Sequence, residues 1–381
     1  MKKKVMAVLL ICTLVATQAM DISALEMSED KVDKQGYNNY MSKSEEESLF
    51  LVDIEDAEWS DFSSHDEMLE ACTIPEDELK TMETKELLKY VLDYPLMIDL
   101  LAYDSWNEGL QALSEDFNGL AELLSREDGA DCLLEAYANL EISDKSKDTS
   151  IEEVLETEMI EAALSQEEVL ENLSDNQLEE LGEIAEEKYN DKRENEMYNS
   201  FEASLYENMY ENDTLDSIDA EVVMSEDESG LCSRNIILHT AKGTPVSAIM
   251  MDEPLSKEQI KLINKQYKKA YPKATYVSSA TGRYNCHSYA WYKSSSNNSV
   301  WINFPKAFIT EAKTVKKSKV KSGNKAVWIN AAANAYYIHS GVVYSVKNGN
   351  VTIQSKWGKA PLMRHAQDYS PYGKTTVKYY K

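Results

Sequence analysis

Cys286, in the stretch Thr281 to Tyr292 (TGRYNCHSYAWY), is the residue best suited by type and setting to do chemistry. It stands between a turn-like run and an aromatic-rich segment in which Ala290, four residues on, falls one helical turn away on the same side. A thiol that opens a helix feels the positive end of the dipole and has unpaired backbone N–H groups beside it. Its thiolate is therefore favoured, and an oxyanion can be held there. That is the chemistry of attack on a carbonyl.

A thiolate nucleophile needs a base, and the candidate is His339, which begins a strand-like run continuing through Gly341, Val342, Val343, Tyr344 and Val346. A third group that orients the imidazole is expected from the next run, Val351 to Gly358. Alternation there puts Ser355 and Gln354 on opposite faces, so only one of them can face His339, with Ser355 the first choice and His365 an outside candidate. Tyr284, Trp357 and His365 are the expected substrate contacts, since aromatic walls suit a peptide or a sugar-linked ligand. No Cys-X-X-Cys pair or His/Cys cluster has metal spacing, so neither a metal nor a cofactor is expected.

The elements that position these residues are those of an α+β chain. Residues 231–381 carry a strand-like Asn235 to His239 and a helix from a Ser256 cap with Gln259 to Ala270. After the Cys286 segment come strand-like runs at Lys325 to Asn330, Ala335 to Val346 and Asn350 to Trp357. Asn348-Gly349-Asn350 reads as a hairpin turn. Residues 61–210 read instead as an acidic all-α bundle. Helix starts are expected at Ser64, Thr73-Pro75, Ser165 and Ser174, a helix end at Gly129, and a dense apolar stretch from Leu87 to Leu101. Residues 25–60 read as a loose acidic lead-in, and residues 211–230, with the run Glu211 to Glu228, as a linker.

The first 24 residues read as an export signal: Lys2, Lys3 and Lys4, an apolar run from Val5 to Ala16, and small-residue exits at Ala19 or Ala24. The apolar run is too short to span a membrane, and nothing later approaches that length. A secreted or wall-associated protein is expected. Of the four cysteines beyond the signal, Cys72 and Cys132 are the natural pair for a bridge.

Charge divides the chain. The 381 residues hold 39 Lys+Arg and 67 Asp+Glu, a net charge of -28. Residues 231–381 carry 24 basic and 5 acidic groups (+19), and residues 1–230 carry 15 and 62 (-47). Two partners follow for the basic half: an anionic wall polymer for the lysine run Lys313 to Lys325, or the acidic half itself, docked over the groove like a propeptide. Export argues against nucleic acid.

RYNCHSYAWY, IHSGVVYSV, QSKWG and PLMRHAQDYSPY together resemble an exported papain-like cysteine hydrolase group of Gram-positive bacteria, akin to the NlpC-type and CHAP amidohydrolase/peptidases. The resemblance covers roughly residues 281–381. The Leu87 to Leu140 block, with DYPLMIDLLAYDSW, looks similar to the helical region that accompanies this domain in exported proteins of gut Firmicutes. What it implies is a papain-like domain that cleaves an amide bond, in cell-wall peptide or another peptide, with Cys286 as nucleophile and His339 as base. The Asp-Cys-Ser opening of the wall-cleaving members is Asn285-Cys286-His287 here, and their third residue has no counterpart after the hairpin. The alternative reading is a non-catalytic cell-surface binding protein on a decayed hydrolase scaffold. An acyl-transferring enzyme of the same fold is a further rival.

Overall fold

Serine side chains decide where five of the described helices begin. The computed structural model describes residues 50, 52–142, 149–195, 197–198, 224–226, 232–330, 336–373 and 375–381. The export signal and most of the acidic linker lie outside the described residues.

Ser64 Oγ accepts from the Glu67 N–H and opens α1 (His65–Ala71), as its type and position predict. α2 (Glu76–Thr81) follows Pro75, and α3 (Thr84–Leu92) comes next. Ser105 caps α4 (Trp106–Asp116), which leads into α5 (Asn118–Ser125) and α6 (Gly129–Asn139). Reciprocal capping boxes at Ser150 with Glu153 and Ser174 with Gln177 open α7 (Ile151–Leu164) and α9 (Asp175–Glu194), with α8 (Glu167–Glu171) between them.

Four expectations are corrected. Gly129 begins α6 instead of ending a helix, because a Cβ there would meet the Leu123 carbonyl oxygen at 2.2 Å. Ser165 closes α7, its hydroxyl donating back to the Ala162 carbonyl (2.8 Å), so it is spent before α8 begins. The apolar run after Leu92 is a 3-10 turn, Met97–Ala102, since Pro95 cannot continue α3. Cys72 and Cys132 are both buried and free, so the anticipated bridge is absent.

The strands are β1 (Met224–Glu226), β2 (Cys232–His239), β3 (Pro245–Met251), β4 (Thr275–Ser278), β5 (Val300–Trp301), β6 (Thr314–Val315), β7 (Lys325–Asn330), β8 (Tyr336–Lys347), β9 (Asn350–Lys356), β10 (Leu362–Ala366) and β11 (Thr376–Tyr380). They form two antiparallel sheets, ordered β1-β2-β3-β5 and β4-β10-β9-β8-β7-β11-β6. Asn348 (φ 51°) and Gly349 (φ 85°) make the β8–β9 turn, both in the left-handed region that a two-residue hairpin requires. Three helices accompany the strands: α10 (Lys257–Ala270), opened by the Ser256–Gln259 capping box, α11 (Cys286–Trp291) and α12 (Lys306–Glu311).

The larger sheet is covered on both faces. Val342 packs with Tyr284, Tyr289 and Leu362 toward α11, and Val327 packs beside Trp291. The opposite face, with Trp328, Val343, Ile353, Trp357 and Met363, shares one continuous core with the helical region and α10. Trp59 joins that core and donates its indole N–H to the Ala270 carbonyl at 2.9 Å. A mixed helix and antiparallel-sheet chain results.

Inside the helical region Lys192 bridges Glu158 (2.7 Å) and Glu161 (2.8 Å), which also accepts from the Tyr137 hydroxyl (2.9 Å). Burial pushes the Glu158 carboxyl up to about 8, and its Oε2 has no partner. Lys192→Met therefore leaves two acids without their counter-ion in the core. We expect it to cost about 3–5 kcal/mol in urea unfolding at pH 7, far more than a surface lysine would.

Candidate functional site

Asn285 fixes the site before Cys286 enters it. Its Oδ1 accepts from the Ser288 N–H (3.1 Å) and the Ile302 N–H (3.3 Å), and its Nδ2 donates to the Ile302 carbonyl (2.8 Å) and to Asp104 Oδ2 (3.0 Å). All of its hydrogen-bonding capacity is spent on capping α11 and tying it to β5 and the helical region. Cys286 is the first residue of that helix, as its sequence setting predicts. The backbone N–H groups of Ser340 and His287 are near enough to the thiol to favour its ionised form.

Those donors favour a thiolate, but they do not win. Cys286 is 2% exposed, and burial, followed by the nearby Asp104 carboxyl, holds the thiol well above its ordinary range. His339 is fully buried against Tyr372, with ring centroids 3.7 Å apart and stacked, and meets Trp328 edge-on at 4.8 Å. Burial, with lesser contributions from His365 and His287, pushes its imidazole well below the usual range. Neither of its ring nitrogens has a hydrogen-bond partner, so no hydrogen bond joins it to Cys286. Alternation along β8 explains this: Ser340 turns toward α11, and His339 turns toward Tyr372 and the helical region.

Two matching proton relays occupy the neighbouring histidines. Trp291 Nε1 donates to Ser340 Oγ (3.1 Å), Ser340 bonds His287 Nδ1 (2.9 Å), and His287 ends on the Tyr337 carbonyl. Trp357 Nε1 donates to Ser355 Oγ (3.0 Å), Ser355 bonds His365 Nε2 (2.8 Å), and His365 Nδ1 donates to the Ala366 carbonyl (2.7 Å). Each serine already accepts from an indole, so each gives its own proton to an imidazole. Burial lowers both histidines to about 4, which keeps them neutral.

This corrects the expected third residue. Ser355 lies on the His339 side of the sheet but is committed to His365, and Gln354 faces the other way, donating to the Tyr289 hydroxyl (2.6 Å) and accepting from Arg364 (2.8 Å). Tyr284, Trp357 and His365 are all buried in the core and do not line an open groove. Gly341 admits a close neighbour, but the neighbour is β9: a Cβ would meet Ile353 Cγ2 at 2.6 Å. Among the described residues no group of three or more His, Cys, Asp or Glu side chains is gathered to hold a metal ion.

Two residues with strong fields at Cys286 escaped the sequence reading. Lys356 is fully buried and donates to the carbonyls of Thr281 (2.9 Å), Gly358 (2.5 Å) and Ala360 (2.6 Å), which together hold an ammonium even though burial pulls it down to about 7. It ties the loop before α11 to the turn after β9. Asp104, pushed up to about 8 by burial and then by Glu108, comes from the helical region. A lone lysine in an alternating apolar strand was the available signal for Lys356. Nothing local marks Asp104, whose partner is 181 positions away.

The segment from Ile98 to Asp104 closes the site. The Lys359 N–H donates to the Leu101 carbonyl (2.9 Å), the Tyr372 hydroxyl to the Ala102 carbonyl (2.6 Å), and the Tyr267 hydroxyl to the Ile98 carbonyl (2.8 Å). Tyr103 in turn donates its hydroxyl to the Pro371 carbonyl (2.9 Å). Gly358, at φ 46°, lies directly against this segment: a Cβ would meet the Leu101 carbonyl oxygen at 2.4 Å.

Asp104, pushed up to about 8, is already ionised before a thiol held well above its ordinary range titrates, so in the wild type the thiolate forms against a negative charge. Asp104→Asn keeps an acceptor for Asn285 and removes that charge. We expect the pH midpoint for alkylation of Cys286 to fall by about one unit, read against a Cys286→Ala background; an unchanged midpoint would separate Asp104 from the thiol. Comparison of the chain with protein-family models, with curated proteins and with solved structures returns no match.

Proposed function

We propose that the protein is an exported, papain-like cysteine peptidase or amidase held in a closed state, with cell-wall peptide the first substrate to test. The observation that carries the reading is the thiol of Cys286 at the first position of α11, a helix capped by Asn285, where the nearby backbone N–H groups of Ser340 and His287 favour its ionised form. In the reaction the Cys286 thiol passes its proton to the His339 imidazole and its sulfur adds to the amide carbonyl. The C–N bond then breaks, with the imidazolium giving the proton to the leaving amine. Water attacks the thioester, its proton going to His339 as the carboxylic acid leaves and the thiol is restored.

Closure accounts for the neutral pair. Burial raises the thiol and lowers the imidazole, so the proton stays on sulfur until water reaches the site and both shifts relax. Opening must also release the Tyr372 ring from His339, which frees the imidazole to turn toward the sulfur.

A second reading, a non-catalytic surface-binding protein on a decayed hydrolase scaffold, is favoured by one observation: both ring nitrogens of His339 are buried without partners, so no orienting residue serves the imidazole. Gly358→Ala separates the two readings, because the added methyl pushes the covering segment off the turn. In the enzyme reading Gly358→Ala exposes Cys286 to alkylation near neutral pH and releases hydrolysis of wall muropeptides or of a peptide library. His339→Ala in that background should lower the hydrolysis by about 10²–10⁴-fold. Exposed Cys286 with alkylation indifferent to His339, and no hydrolysis, would establish the binding reading instead.

A further inference from the structure

The end of the larger sheet where β6 begins and β11 ends carries a concentration of positive charge that the proposed chemistry does not use. Lys313 and Lys381 lie side by side there, exchanging backbone hydrogen bonds of 3.0 and 2.9 Å, and β6 is the edge strand. The chain then makes the short 3-10 turn Lys317–Lys319 and returns through Lys321 to β7. Lys313, Lys316, Lys317, Lys319, Lys321 and Lys381 are all exposed, and none forms an ion pair or a side-chain hydrogen bond among the described residues.

This is a rigidly mounted patch and not a loose basic tail. Val320 between the lysines is buried in the core, and the buried Asn324 accepts from the Lys321 N–H through its side chain (2.9 Å). The Asn324 carbonyl accepts from the Val343 N–H (2.8 Å), and the Gly323 N–H donates to the Val343 carbonyl (2.9 Å). With its apolar residue and its backbone fixed to β8, the loop can only present its lysines outward. Like charges held together in this way repel, and among the described residues no acidic side chain pairs with them. Glu311, the nearest acid in sequence, turns its Oε1 to the Thr240 and Thr244 hydroxyls and forms no ion pair with these lysines.

The chemistry of the patch selects its partner. It holds no arginine, so it offers no planar fork for bidentate pairing, only compact ammonium charges that suit phosphate oxygens. It also holds no aromatic ring for a base to stack on and no amide side chain aimed outward to read a base edge. We propose that this lysine-rich sheet end is a docking surface for a linear, base-free phosphate polymer. It is independent of the cysteine chemistry and would anchor the protein whichever reading of Cys286 holds.

The test is fluorescence anisotropy of the full-length protein with labelled long-chain inorganic polyphosphate, beside poly-glutamate and a single-stranded oligonucleotide of equal charge. Polyphosphate should bind most tightly, and its affinity should fall on the order of a hundredfold between about 50 and 200 mM salt if four lysines each neutralise one phosphate. The variant K316E/K317E/K319E/K321E should lose at least about tenfold in affinity with an unchanged melting temperature, since all four side chains are exposed, whereas K257E/K265E on α10 should bind as the wild type does. Failure to bind polyphosphate, or equal loss in the α10 variant, would overturn the proposal. Tighter binding of the oligonucleotide would make the partner a nucleic acid, and equal binding of poly-glutamate would remove the preference for phosphate. Either result also overturns it.

Discussion

The state of the cysteine site depends on one packing contact, that of the Leu101–Ala102 peptide against Gly358. No side chain larger than hydrogen fits between them, and with the segment seated Tyr372 is held by the Ala102 carbonyl. The seated Tyr372 covers the His339 ring, and Asp104 at the end of the same segment reaches both Asn285 and the thiol. Each of these contacts removes water from a group whose charged form needs it. The neutral thiol and the neutral imidazole are therefore each a consequence of packing, and the backbone donors near the sulfur are outweighed by desolvation.

The opposed charges of the two halves do meet in the Lys269–Glu55 ion pair, but the contacts about the site, Asp104 with Asn285 aside, are mainly of another kind. They are tyrosine hydroxyls and an indole N–H meeting backbone carbonyls: Tyr267 on Ile98, Tyr372 on Ala102, Tyr103 on Pro371 and Trp59 on Ala270. Around them Tyr271 and Trp357 pack edge to face at 4.9 Å, within a core common to both halves. Such contacts fix orientation and survive salt, whereas long-range attraction between exposed charges is screened within about 8–10 Å. Charge asymmetry of this size therefore remains available to external partners, as the unpaired lysines beside β6 illustrate.

Local rules made much of the fold legible. Ser64, Ser174 and Ser256 cap helices because a hydroxyl needs only the next turn of its own chain, and Asn348-Gly349 turns the hairpin because few other pairs tolerate positive φ. Cys286 could be placed at a helix start for the same reason. Reading failed where a residue's role is set by a distant neighbour. Gly129 looked like a helix stop until the Leu123 carbonyl crowded it, and Ser355 looked free to serve His339 until His365, on the adjacent strand, claimed it. Lys356 reads as a surface lysine by type, and only three converging carbonyls make it a buried cation.

The same distinction bears on the missing third residue. A side chain that orients a catalytic imidazole must reach one of its ring nitrogens, and Ser355, the serine on the His339 side of the sheet, is locked between an indole donor and His365. Ser340, on the opposite face, is held in the same way by Trp291 and His287, and both His339 ring nitrogens stay without a partner. In the enzyme reading, an orienting group for His339 must therefore come from a residue that moves when the site opens, or from the substrate itself. Tyr372 already touches the ring, and its hydroxyl is committed to the Ala102 carbonyl only while the covering segment is seated. In the enzyme reading, lifting of that segment removes the acceptor of the Tyr372 hydroxyl at the same step that admits water, so release of the phenol and turning of the imidazole toward the sulfur are one event.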